Sequence, residues 1–118
     1  MPLRAAGIST PLNEIKAELF KALAHPVRVR VLELLVDGER PVSDLLAETA
    51  IEASNLSQQL AVLRRSGVVG TRREGNTVYY RLADPTLCDL LAAARAFLIT
   101  MLAQTRDLLA GLEAGAGR

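Results

Sequence analysis

Residues 51–69, I-E-A-S-N-L-S-Q-Q-L-A-V-L-R-R-S-G-V-V, constrain the fold more than any other stretch of this chain. Leu56, Leu60 and Leu63 are spaced four and three apart, so they share one face of a helix and anchor it to a core. The other face is unusual. Ser54, Asn55, Ser57, Gln58 and Gln59 set uncharged hydrogen-bonding groups on barely two turns, and Arg64 and Arg65 close the helix before Gly67. Exposed helix faces ordinarily carry Lys and Glu, which are better helix formers than Ser and Asn. Amides and hydroxyls suit instead the base edges of a major groove, where Asn or Gln pairs bidentately with adenine and Ser donates or accepts. A surface helix that is merely poor in charge would show the same face, and the stretch alone does not separate the two readings.

Charge distribution adds to the first of them. The net charge of +1 makes no global case for a nucleic-acid partner. Between residues 53 and 82, however, Arg64, Arg65, Arg72, Arg73 and Arg81 face Glu74 alone, a local balance of +4. The positive charge is gathered where the polar helix is. The 118 residues leave room for one domain, and a composition half hydrophobic but only 3% aromatic favours helices packed through aliphatic side chains.

Thr10-Pro11 reads as a cap followed by proline at the first helical position, with Ile15, Leu19, Ala22 and Leu23 as the apolar stripe of a helix over about 11–24. Pro26 then disfavours helix at His25 and opens a second helix. Its run V-R-V-R-V-L-E-L-L-V is rich in β-branched residues, yet Val27, Val31, Leu34 and Leu35 keep a helical spacing and Gly38 stands as a C-terminal cap. After a turn at residues 37–41, with room for a very short strand, residues 42–49 read as a short helix with Val42, Leu45 and Leu46 inward. Joined to the polar helix through residues 50–52, this makes a helix-turn-helix.

Beyond Gly67, V-V-G-T-R-R and T-V-Y-Y-R-L alternate about residues 74–76, where Gly75 and Asn76 tolerate positive φ, so a β-hairpin is expected. Val78, Tyr80 and Leu82 would share its inner face, and Thr77, Tyr79 and Arg81 would point outward. Asp84-Pro85 opens a last helix over 85–113. Its four-three stripe of Leu87, Leu91, Ala94, Leu98, Met101, Thr105, Leu108 and Leu112 is broader than a small domain covers by itself, which points to a homodimer. Leu19, Leu87, Leu91, Leu98, Met101 and Leu108 are the candidate dimerisation residues. Residues 1–10 and 114–118 read as flexible tails around a single domain spanning 11–113.

This order of parts resembles the winged helix-turn-helix repressors of the ArsR/SmtB family. The resemblance covers residues 13 to about 100 and rests on E-L-F-K-A-L-A-H-P-V-R-V-R-V-L-E-L-L, S-N-L-S-Q-Q-L-A-V-L-R-R-S-G-V-V and R-R-E-G-N-T-V-Y-Y-R-L. It implies a mainly α fold with a small β-hairpin wing, dimerising through terminal helices. It also implies a cytoplasmic homodimer that binds double-stranded DNA at a palindromic operator and represses until an inducer releases it. On that resemblance Ser54, Asn55, Ser57, Gln58 and Gln59 fall on the recognition helix, and Arg72, Arg73, Gly75 and Asn76 in the wing; Arg64, Arg65 and Arg81 complete the expected DNA contacts. Ala50 stands where the family often has Gly, Glu52 where it often has a serine cap, and His25 where an Asp is common, a position at which a lone His before proline reads as a cap or surface residue.

The family's usual metal positions are not filled here: one reads R-P-V-S-D at 40–44, and the last helix contains no His. One His and one Cys per chain fall short of a tight site, so neither metal nor another cofactor is expected. Cys88 has no partner for an intrachain disulfide, which fits a reducing, cytoplasmic setting, and there is neither a signal-peptide run nor an 18-residue uninterrupted apolar span, so no membrane partner is expected. Two alternatives stand beside the DNA-binding reading. Cys88, in the first turn of the last helix, is a candidate redox sensor if the helix dipole favours its thiolate; otherwise it is a small buried residue. A winged helix can also be a protein-interaction module, although that leaves the arginines beside a Ser/Asn/Gln face unexplained. An enzyme is not expected, since Ser54 and Ser57 lack a nearby general base. The effector, a small molecule or a redox signal, is not written in the sequence.

Overall fold

The apolar periodicities resolve into helices and a small sheet in the computed structural model, which describes residues 9–116. Helix α1 spans Leu12–Leu23, α2 Pro26–Leu34, α3 Val42–Thr49, α4 Ala53–Ser66 and α5 Thr86–Ala116; strands β1 (Arg40–Pro41), β2 (Val69–Glu74) and β3 (Thr77–Leu82) form an antiparallel sheet in the order β1-β3-β2. Residues 1–8 of the expected N-terminal tail, and 117–118 at the other end, lie outside the described residues. The C-terminal tail expected from 114 is instead helical as far as Ala116.

Local chemistry explains most boundaries. Pro11 occupies the cap position of α1, one residue later than expected, and no side chain caps that helix. His25 is the N-cap of α2: its Nδ1 accepts from the Val27 N–H at 3.1 Å, satisfying one donor of a first turn that begins with Pro26. The β-branched run from Val27 is helical because Val31, Leu32, Leu34 and Leu35 all reach the core. Burial there outweighs β propensity. This helix stops at Leu34, and Gly38 serves the following turn at φ 137° rather than capping the helix directly. Helix α4 ends in a Schellman arrangement: the Gly67 N–H donates to Arg64 O, the Val68 N–H to Leu63 O, and Gly67 takes φ 80°.

The first unit of the chain runs to Leu87 and holds the core. Helix α1 packs on α4, α2 on α3 and α4, and both α3 and α4 on the sheet. The three leucines that define the inner face of α4 are buried, with Leu63 wholly so, as are Val31, Leu32, Leu35, Leu45, Val69 and Tyr80. The hairpin alternates as expected at Tyr80, which is buried, and at Thr77 and Arg81, which are exposed. Tyr79 is half-covered. Gly75 alone takes positive φ, at 62°, between the paired Glu74 and Thr77, as a type II′ hairpin turn requires of its first central residue.

Between α3 and α4, Ala50 is left-handed, φ 54° and ψ 31°, the only non-glycine residue with positive φ among those described. An L side chain there costs roughly 1–2 kcal/mol, partly offset by the freedom glycine would have when unfolded. Ala50→Gly should therefore stabilise by about 0.5 kcal/mol and raise the melting temperature by roughly 2–4 °C. Thermal unfolding at a fixed protein concentration checks this; a lower melting temperature would show that the turn is not strained.

The second unit, from Cys88, is the rest of α5. Phe97, Leu98, Ile99, Met101, Leu102, Leu108, Leu109 and Leu112 are all exposed on it. By length and composition, with a mean hydropathy of 1.7 in an 18-residue window, the helix over residues 86–115 is apolar enough to cross a membrane, although the sequence shows no uninterrupted apolar span of that length. Arg95 and Arg106 bracket an uncharged stretch of only residues 96–105. That is well short of the ~20 residues a bilayer core needs. A single helix with this face cannot make a core by itself.

Candidate nucleic-acid interface

Once Leu56, Leu60 and Leu63 fix the roll of α4, the 3.6-residue period sends Ser54, Gln58, Ala61 and Arg65 to the far side and Ser57 and Arg64 to one flank. Except for half-buried Ala61, these residues are exposed. Across from them stands the sheet. An open groove of about 550 Å³ is lined on one side by Ser57, Ala61, Arg64 and Arg65 and on the other by Val78 and Tyr80. The polar helix face and the wing thus form one continuous surface, which periodicity alone does not reveal. Arg73, Asn76 and Arg81 are exposed on the hairpin. Arg64, Arg65 and Arg73 make no ion pair with the described residues, so their charge is available to an anion.

Two expected contacts are placed differently. Gln59, expected on the reading face, is turned inward and only 9% exposed. Its position three after Leu56 and four before Leu63 already puts it on the buried side. Its Oε1 accepts from Arg28 Nη1 at 3.0 Å, and its Nε2 donates to Asn55 Oδ1 at 3.1 Å. Arg28 is the residue that sequence reasoning passed over. Its Nε and Nη2 also donate to Ala22 O at 2.7 Å and Lys21 O at 3.3 Å, satisfying carbonyls at the end of α1. A charge spaced four and seven from Leu32 and Leu35, on the inner stripe of α2, was the signal that could have found it, because charges at such positions need partners.

Arg72, expected to meet DNA, is already engaged. Its guanidinium grips Glu39 through Nε and Nη2, with Nε to Oε1 at 2.8 Å, and its Nη1 reaches Glu74 Oε2 at 3.0 Å. The same guanidinium lies 4.3 Å from the centroid of the Tyr79 ring. This explains the partial cover of Tyr79 and braces the wing against the turn before β1. The hydrogen bond from Arg72 holds the Glu39 carboxyl below the ordinary glutamate range. The stabilisation is therefore present above the unfolded glutamate pKa and is lost as pH falls through the lowered value. Arg81 lies across Gly70, where a Cβ would come within 2.7 Å of its Cζ, so a small residue at 70 lets the Arg81 side chain lie flat on the sheet.

Cys88 is half-buried in the first turn of α5 and forms no disulfide. Asp84 starts that helix, its Oδ1 accepting from the Thr86 N–H at 2.8 Å and the Thr86 hydroxyl at 2.6 Å, which holds its carboxyl below the usual range. Among the described residues no three of His, Cys, Asp and Glu gather as metal ligands. Of the candidate dimerisation residues, Leu19, Leu87 and Leu91 are half-buried, and Leu98, Met101 and Leu108 are exposed.

Comparison with known proteins places this surface in context. Residues 25–71 match the family described as bacterial regulatory protein, arsR family. The chain is 52% identical over 108 residues to the HTH-type transcriptional regulator Rv0081 of Mycobacterium tuberculosis, covering 91% of this chain and 95% of that one. The crystal structure of Rv0081 superposes with a TM-score of 0.75 over 82% of this chain and 98% of its own. The biofilm growth-associated repressor of Agrobacterium fabrum is 42% identical over 96 residues, 78% of this chain and 82% of the relative. A solution structure of a homodimeric winged helix-turn-helix DNA-binding domain from Mycobacterium bovis matches at 34% identity and a TM-score of 0.68, over 79% of this chain and 89% of that one.

Proposed function

The chain belongs to the arsR family of bacterial regulatory proteins and is a DNA-binding transcriptional regulator; from that premise we propose that it is a cytoplasmic homodimer that represses from a roughly palindromic operator and is released by a non-metal signal. The observation that carries the reading is the continuous surface of Ser57, Arg64 and Arg65 on α4 beside the wing. Two copies related by a two-fold axis would set their α4 helices in successive major grooves about one helical turn apart. Ser54, Asn55, Ser57 and Gln58 would meet base edges, while Arg64, Arg65, Arg73, Asn76 and Arg81 would meet phosphates or the minor groove at the wing tip. The homodimeric relative and the uncovered apolar face of α5 both support the dimer. A repressor among the relatives supports the direction of regulation.

The division of labour is tested by salt-dependent binding. Gln58→Ala should cost on the order of 1–3 kcal/mol on the operator and relax base preference there, while Arg73→Ala should weaken all duplexes alike and lower the salt slope by about 1. If both variants lost affinity equally on operator and random DNA, this assignment of reading and anchoring residues would be wrong.

Glu39 and Glu74 hold Arg72 in the free protein, so Arg72 serves as a strut of the wing before it serves as a phosphate contact. Glu39→Gln removes one competing carboxylate. DNA affinity at low salt should rise several-fold and the salt slope steepen by up to about 1. Unchanged affinity and slope would place Arg72 outside the reach of DNA.

A further inference from the structure

We propose that Arg28 and Gln59 act together as a polarity relay that makes Asn55 a donor-only reader and so selects a guanine at the base pair it contacts; this rests on the DNA-binding reading above. The guanidinium of Arg28 has donors only. Gln59 must therefore turn Oε1 toward it, as the 3.0 Å bond shows, which leaves Nε2 to donate onward. Asn55 can take that bond only with Oδ1, at 3.1 Å. Both amides are fixed in orientation by one cation. Among the described residues the Nδ2 hydrogens of Asn55 find no acceptor, and they are what this half-buried side chain at the start of α4 has left for a ligand.

That geometry has a chemical consequence at the base edge. An Asn reading adenine bidentately needs its carbonyl for N6 and its amide for N7. Here the carbonyl is drawn inward by Gln59. A lone NH₂ group is matched by adjacent acceptors, which guanine offers at N7 and O6. The relay is anchored at its far end as well, because Arg28 Nε is held by Ala22 O at 2.7 Å in the α1–α2 corner. Gln59 and Arg28 are thus positioning residues for specificity, although neither is placed to touch DNA.

The experiment is selection of bound duplexes from a random pool by the full chain and by Gln59→Glu, followed by anisotropy titration of the enriched sequences and thermal melting of both proteins. A carboxylate at 59 still accepts from Arg28 but cannot donate to Asn55. The Asn55 amide then turns over, with Nδ2 inward and Oδ1 outward. At one position in each half-site the preference should change from guanine to a base with an exocyclic amine, cytosine or adenine. Affinity for the original sequence should fall about tenfold, and the other positions should keep their bases. Identical preferences for the two folded proteins at every position would overturn the relay. Should Gln59→Glu fail to fold, Gln59→Met keeps the volume and frees Asn55 to turn either way; a broadened preference at that one position supports the relay, and an unchanged one overturns it. If the unaltered protein enriches no sequence at all, the DNA-reading function itself fails, and the relay with it.

Discussion

Glutamates introduced together at Leu98 and Met101 should leave a folded monomer whose affinity for its operator is lower by a hundredfold or more. The two side chains are 47% and 43% exposed on a helix that also displays Phe97, Leu102, Leu108, Leu109 and Leu112. An uncovered apolar face of that size marks a partner surface. A second copy of the chain accounts for it better than a bilayer, since any span of ~20 residues along α5 carries Arg95, Arg106 or both into the hydrocarbon, at a cost of up to about 2.5–3.5 kcal/mol each. Burying four uncompensated carboxylates in a two-fold interface costs more than the apolar contact returns. Once the dimer is lost, each reading head binds alone and forfeits the roughly 10²–10⁴-fold gain from linking two sites. Sedimentation or light scattering with operator titration checks both halves of the expectation. A variant that stayed dimeric, or a monomer that bound as tightly as the parent, would contradict it.

Leu63→Ala should destabilise the fold by about 2–5 kcal/mol and lower the melting temperature by roughly 10–20 °C. Leu63 is wholly buried, anchors α4 beneath the reading face and supplies the carbonyl that ends the helix through the Val68 N–H. Truncation leaves a cavity among Leu56, Leu60 and the sheet. Ser57→Ala, on the exposed side of the same helix, should fall within about 0.5 kcal/mol of the parent. Both are read by thermal unfolding at equal protein concentration, because a dimer's apparent stability depends on it. A shift below about 3 °C for Leu63→Ala would mean that α4 is not held by the core in this way.

Much of the fold was legible because its signals are periodic. The four-three spacing of Leu56, Leu60 and Leu63 located α4 and its roll, and the alternation about Gly75 located the wing. The β-branched second helix was legible only because its apolar spacing outweighed its composition, and burial of Val31 and Leu32 shows why. What escaped were pairings between residues distant in sequence. Nothing local tells that Glu39 meets Arg72, or that Arg28 meets Gln59. These contacts reduce the outward charge expected of the wing and remove Gln59 from the reading face. The inward place of Gln59 was nonetheless implied by its own spacing, which the attraction of an amide for a base edge obscured.

The most direct measurement is fluorescence anisotropy of the purified, reduced, chelator-treated protein on the duplex upstream of its own gene and on a scrambled duplex, at one near-physiological salt concentration. The account predicts binding to the upstream duplex at least ~10³-fold tighter than to the scrambled one. Equal, weak binding to both would contradict it.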